Sequence, residues 1–189
     1  MAPLLKPEDC CILFIDPVRR NVKRVEIEES QAALVNRHIL IQEAAKVLNV
    51  PEFFAVYGEE LDEREWIAQP CDRTKSRVYI VGTAGSIWSS GGLGAALTEE
   101  GKACLVLCGF WLERGITFAA LNALADGFDV FVIMDACPSC ERHALCPAID
   151  RLLQAGVVPV TTTQMLSEWA EAASDEGQRS SLRDLLAST

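Results

Sequence analysis

Positive charge is scarce in this sequence. Against 27 Asp and Glu it sets 17 Lys and Arg, and the formal net charge of −10 repels a phosphate backbone or an anionic membrane surface at long range. The one basic cluster, Arg19, Arg20, Lys23 and Arg24, reads as a solvated turn. Also missing is any apolar stretch of the about 20 residues needed to span a bilayer. Met1 to Asp9 has neither the charged nor the apolar block of a signal peptide. A cytoplasmic protein is expected, with neither nucleic acid nor membrane as partner. Repeats and domain linkers are absent too, so 189 residues at 50% hydrophobic and 23% charged point to one globular domain with a substantial core.

Cysteine, by contrast, is plentiful. Of the eight, Cys10, Cys11, Cys104 and Cys108 sit in apolar runs, where sulfur behaves as a small hydrophobe. A chain with this much core needs no disulfide staples, so all are read as reduced thiols. Cys137, Cys140 and Cys146 stand outside such runs.

The stretch CLVLCGFWLERGITFAALNALADGFDVFVIMD, Cys104 to Asp135, organises the chain. Two apolar runs flank a loop and a helical pattern ending at Gly127, which is strand, loop, helix, strand. Runs apolar on both faces belong to parallel strands buried on both sides. Ligands in such sheets bind at the carboxyl ends of strands, so the loop Gly109 to Gly115 is the first place to look for function.

Further strands are expected at Cys11 to Ile15, Phe53 to Tyr57, Val78 to Val81 and Val157 to Val160. A helix capped by Ser30 runs from Gln31 to about Asn49, with His38 as a packing or surface residue of that helix. Glu59 to Glu65 reads as a short exposed helix and Gln69 to Arg77 as loop. Gly82 to Ser86 must be irregular, and the glycines at 91, 92 and 94 lead into a helix through Leu97. Helices also follow from Glu141 to Ala155 and, capped by Thr163, from Met165 to Ala173. Residues 175–189 form a weakly amphipathic tail or helix. Six strands alternating with helices predict a three-layer, Rossmann-like α/β fold: a six-stranded parallel sheet of order 3-2-1-4-5-6 with helices on both faces. In that order Asp16, which follows the first strand and is costly to bury unless paired or used, faces the loop Gly109 to Gly115 across one crevice.

Asp16 after ILFI, the stretch GKACLVLCGFWLERGITFAALNALADGFDVFVIMDA, and the closing QAG and VVPVTTT together resemble the isochorismatase-like hydrolase superfamily, the cysteine hydrolases that include nicotinamidases. The resemblance covers about Leu5 to Trp169, and implies a family domain over residues 1–174. It also implies an aspartate that takes a thiol proton, and a lysine and a helix N-terminus that favour the thiolate. The aspartate falls on Asp16. The lysine falls on Gly82, or Thr83 if the register slips, and the cysteine on Gly115, so two of three reactive groups are missing. Lys75 lies at the wrong end of its strand to substitute, Cys108 reads as buried sulfur, and the Thr117 hydroxyl has no base. Phe110, Trp111, Arg114 and Trp88 are the candidate binding residues.

The family's metal site, where present, uses an aspartate and histidines after the second strand. Here that region reads YGEELDEREW, so no metal or other cofactor is expected. Cys137, Cys140, His143 and Cys146 are spaced as zinc ligands could be, but read more simply as core or surface groups. The resemblance further implies a cis peptide before the nucleophile, here Phe110–Trp111, and assembly into a homo-oligomer. The tryptophans 88, 111 and 169, more than a small monomer would normally leave near its surface, support the latter. Two function classes follow. One is a catalytically degenerate member that binds an unknown small molecule or acts as a scaffold. The other is a hydrolase of an amide, ester or vinyl ether bond with a site rebuilt around Asp16.

Overall fold

The apolar runs become six parallel strands in a computed structural model that describes residues 4–26, 28–58, 62–67, 76–82 and 86–188. In chain order the elements are β1 (Cys10–Ile15), α1 (Arg19–Val22), α2 (Glu28–Leu48), β2 (Glu52–Tyr57), β3 (Ser76–Val81), α3 (Leu93–Glu99) and β4 (Cys104–Gly109). There follow α4 (Thr117–Ala125), β5 (Asp129–Ile133), α5 (Leu145–Ala155), β6 (Val158–Val160), α6 (Thr162–Ala172) and α7 (Glu176–Ala187). The sheet order is β3-β2-β1-β4-β5-β6, as the sequence predicts. Strands β1 and β4 pair from Cys10↔Cys104 to Ile15↔Gly109, which makes them the centre of the sheet and neighbours at the switch point.

Both central strands are buried along their whole length, which is why no polar alternation interrupts them. Phe14 pairs with Phe54 in register, their rings stacked with centroids 4.8 Å apart. Each such side chain removed from water stabilises the fold by about 1.5–3 kcal/mol. Helices α2, α6 and α7 pack against one another, and α4 packs against α5. The tail is ordered as α7: Asp175 caps it by accepting from the Gln178 amide at 2.8 Å, Leu182 is buried, and Gln178 Nε2 donates to Val47 O of α2.

Several expectations are corrected. Ser30 lies inside α2 rather than capping it, because the glutamates before it are good helix formers and extend the helix upstream. Thr161, not Thr163, caps α6, since it is Gln164, three residues on, that completes the reciprocal box. Ser76 and Arg77 already belong to β3 rather than to a loop. Of the acidic segment, Glu63–Glu65 forms a single 3-10 turn capped by Asp62, whereas residues 59–61 lie outside the described residues. So do Cys71, Lys75, Thr83, and most of the loop expected from 69 to 77. Trp88, Trp111 and Trp169 are all buried within the chain, so they are no argument for assembly. Among the described residues no helix is long and apolar enough to cross a membrane.

Candidate functional site

Strand β1 ends at a residue whose backbone is fixed before its side chain is considered. Asp16 has φ 48°, a left-handed conformation that aspartate tolerates better than most side chains. Its N–H donates to Ala55 O at 2.7 Å, and its carbonyl accepts from the Val18 amide at 2.7 Å and from Asn21 Nδ2 at 3.0 Å. The carboxylate is buried and held at both oxygens. Asn21 Nδ2 donates to Oδ2 at 2.6 Å, while the Tyr57 amide, at 3.2 Å, and Arg20 Nη2, at 3.4 Å, approach Oδ1. Arg20 also donates to Tyr57 O at 2.8 Å. One residue of the basic cluster expected to be a solvated turn is therefore committed to the site: α1 brings Arg20, and Asn21 beside it, back onto Asp16.

Across the crevice, β4 can lie against β1 only because residue 109 is glycine. Its φ is 123°, and a Cβ there would sit 2.0 Å from Ile15 O. Phe110 N–H donates to that same carbonyl at 2.8 Å, and the Phe110–Trp111 peptide is cis, as the resemblance implies. The chain then winds through one wide π turn, Leu112–Ile116, into α4. Gly115 lies in this turn. A Cβ built on it would meet Ile15 Cγ2 at 2.8 Å, Phe110 O at 3.1 Å and Tyr57 Cε2 at 3.7 Å. The position that carries the thiol in the resembled family is thus adjacent to Asp16's strand, as expected, but its space is taken. The Ile15 methyl cannot swing aside cheaply, since it branches at Cβ.

The remaining candidates scatter. Gly82 follows β3 and is exposed, with no atom within 4 Å of where its Cβ would be. Phe110 stacks on His38 (centroids 5.7 Å apart) and meets Trp111 edge-on, both rings buried in a satellite cluster with Val22, Leu34 and Ile67. Arg24 covers the Trp111 face at 5.2 Å. Arg114 points away from Asp16 to an ion pair with Glu141 at 3.1 Å. Trp88 donates to Asp126 Oδ2 at 2.7 Å, beyond the end of α4, and so lies toward the amino-terminal edge of the sheet, opposite Asp16. The Thr117 hydroxyl is spent on Leu112 O at 2.5 Å. Burial pushes the Cys108 thiol well above its ordinary pKa and leaves it inert.

Neither histidine serves a metal beside Asp16. His38 is buried in α2 with Nδ1 on Leu34 O at 2.8 Å, and His143 pairs with Glu141 on the surface. Nor do the spaced thiols converge: Cys137 is buried with Sγ 3.8 Å from Leu107 O, Cys140 Sγ accepts from Arg24 at 3.3 Å, and Cys146 is exposed.

Sequence reasoning missed Tyr57, Arg20 and Asn21. Tyr57 ends β2 and lies over Gly115; burial, then the negative Asp16, pushes its phenol above the ordinary value, so it stays protonated. Arg20 and Asn21 could have been found from their spacing, since a one-turn helix after the strand returns residues four and five positions on to the strand's last carboxylate.

Comparison with known proteins follows the same lines. A curated relative, the probable hydrolase YcaC of Escherichia coli strain K12, is 28% identical over 160 residues, covering 83% of this chain and 76% of its own. The solved structure of the E. coli YcaC gene product, described as an octameric hydrolase of unknown specificity, superposes with TM-score 0.78 at 22% identity, covering 100% of this chain and 98% of the other. YcaC of Pseudomonas aeruginosa, solved with hexane-2,5-diol and covalent acrylamide, gives TM-score 0.76 at 20% identity over the same shares. At these identities the two structures speak for the fold. The family model of the isochorismatase domain matches residues 10–164, from the first residue of β1 into α6, and the chain therefore belongs to the isochorismatase family.

Proposed function

We propose that this protein is a catalytically degenerate isochorismatase-family member that acts by binding or scaffolding, as a subunit of a homo-oligomer, and not by thiol hydrolysis. The observation that carries this reading is the surroundings of Gly115. Glycine supplies no attacking atom, and the place a Cβ would take is 2.8 Å from Ile15 Cγ2 and 3.7 Å from the Tyr57 ring. Asp16 supports it from the other side. A general base needs a proton within reach, and with glycine at 115 there is no thiol proton for Asp16 to take, while its oxygens accept from Asn21, Arg20 and the Tyr57 amide. Gly82 adds no cation. The octameric E. coli relative supports the oligomeric part of the reading, which sedimentation of the purified chain at micromolar concentration tests.

Alkylation tests the chemical part. Acrylamide is bound covalently in the P. aeruginosa relative, whereas here no atom in residues 109–117 can take it. Peptide mapping after incubation with acrylamide is expected to find adducts at the exposed Cys146 and the half-buried Cys140, and none on residues 109–117. An adduct within that loop would overturn the reading and favour a site rebuilt around Asp16.

A further inference from the structure

Two thiols that face one another lie at the other end of the same two strands. Cys10 and Cys104 are register partners at the first residues of β1 and β4. Partners in a parallel pair point to the same face, and their strands run about 4.8 Å apart, inside the Cα separation of about 4.4–6.8 Å that a disulfide spans. Both side chains are buried on that face. Cys10 is fully enclosed, its Sγ also 2.9 Å from Lys6 O, whereas Cys104 keeps a small exposed rim beside the exposed Ala103. Cys11 is turned to the opposite face, its Sγ 3.8 Å from Cys104 O.

We propose that Cys10 and Cys104 form a reversible dithiol–disulfide pair, closed by a peroxide and reopened by a dithiol reductant. Their roles differ. Cys104 has the exposed rim and meets the peroxide first, whereas Cys10 is fully enclosed with its thiol proton donated to Lys6 O. Cys104 thiolate attacks one peroxide oxygen, the O–O bond breaks, and the departing oxygen leaves as water after protonation. The Cys104 sulfenic acid is then attacked by the Cys10 sulfur. An S–S bond forms, the S–O bond breaks, and the hydroxyl leaves with the Cys10 proton as a second water. Two thiols and one peroxide give one disulfide and two waters. The product staples β1 to β4, the strands that carry Asp16 and the loop of Gly115, and it stands independently of any chemistry in that crevice.

The test is peptide mapping of the full chain, folded, before and after hydrogen peroxide. Because Cys10 and Cys11 share one tryptic peptide, it is run on Cys11→Ser, and on wild type with fragmentation between residues 10 and 11 should that variant not fold. The expected result is a peptide pair linked through Cys10 and Cys104, about 2 Da lighter than the separate thiols, restored by dithiothreitol and absent from Cys104→Ser. Cys104 carried to the sulfinic acid with Cys10 unmodified, or links confined to other cysteines, would overturn the proposal.

Discussion

Strands β1 and β4 have opposite chemistry at their two ends. At the carboxyl end, where the family performs its reaction, Asp16 is tied by three donors and Gly115 offers nothing to attack with. At the amino end, Cys10 and Cys104 face one another with one thiol at the rim. Between them, Cys108 has only buried neighbours. A parallel pair of strands is a frame that will hold reactive groups at either end. What decides reactivity is the partner each group has, and at the carboxyl end the family's retained aspartate is tied to its neighbours while the position opposite carries no reactive atom.

The carboxyl end should break hardest at Gly109. A Cβ there meets the Ile15 carbonyl at 2.0 Å with φ at 123°, so Gly109→Ala is expected to cost more than about 4 kcal/mol or to prevent folding, measured by urea unfolding. Next comes Asp16→Ala. It leaves Asn21 Nδ2 buried and Arg20 without its anion, and a loss of about 2–4 kcal/mol is expected from the same measurement. A loss under about 0.5 kcal/mol would mean that the carboxylate is not the structural tie described.

Each end carries one pH-sensitive group, Glu52 at the amino end and His38, against Phe110, toward the carboxyl end. Burial, opposed by Lys46 and the Gln42 hydrogen bond, pushes the Glu52 carboxyl at the start of β2 up to about 7. Its folded value lies above its unfolded value of 4.5, so the native state binds the proton more tightly. That contribution is complete below pH 4.5 and lost as pH rises through 7. Glu52→Gln is expected to be more stable than wild type at pH 8, by about 1–3 kcal/mol, with the gap closing near pH 4. His38 has the opposite sign: burial lowers it to about 4 against 6.5 unfolded, so its contribution is present above pH 6.5 and lost as pH falls through 4. His38→Leu should flatten that acid limb.

The smallest effect sharpens the comparison by importing a thiol to the carboxyl end. Gly115→Cys must displace the Ile15 methyl and is expected to cost about 1–3 kcal/mol. Gly82→Lys meets no atom within 4 Å and should be nearly neutral. The double variant should alkylate at residue 115 several-fold faster than Gly115→Cys alone, because the ammonium favours the thiolate. Equal rates would mean that the two positions do not share a crevice.

Much of this was legible in the sequence because strands buried on both faces leave unbroken apolar runs. That signal placed all six strands to within two residues and Asp16 at the end of the first; Gly115 and the cis Phe110–Trp111 bond were legible only through the family resemblance. The caps at Ser30 and Thr163 were misplaced since serine and threonine are common near helix starts, and only the Thr161–Gln164 reciprocity, or the upstream glutamates, decides between neighbours. Tyr57 was not legible as part of the site because nothing local marks it: it reaches Gly115 only through the pairing of β2 with β1. The tryptophans misled because an aromatic carries no sign of which face it will occupy. Trp169 on α6 is completely enclosed, and Trp88 is anchored to Asp126.

The central claim, that the carboxyl end binds or scaffolds without turning anything over, is tested most directly by assaying a panel of small amides, esters and vinyl ethers with wild-type protein and with Asp16→Asn side by side. Both are expected to match the buffer rate for every compound. Turnover by the wild type that disappears in Asp16→Asn while the fold is kept would contradict it, and would make Asp16 the working base of a rebuilt hydrolase.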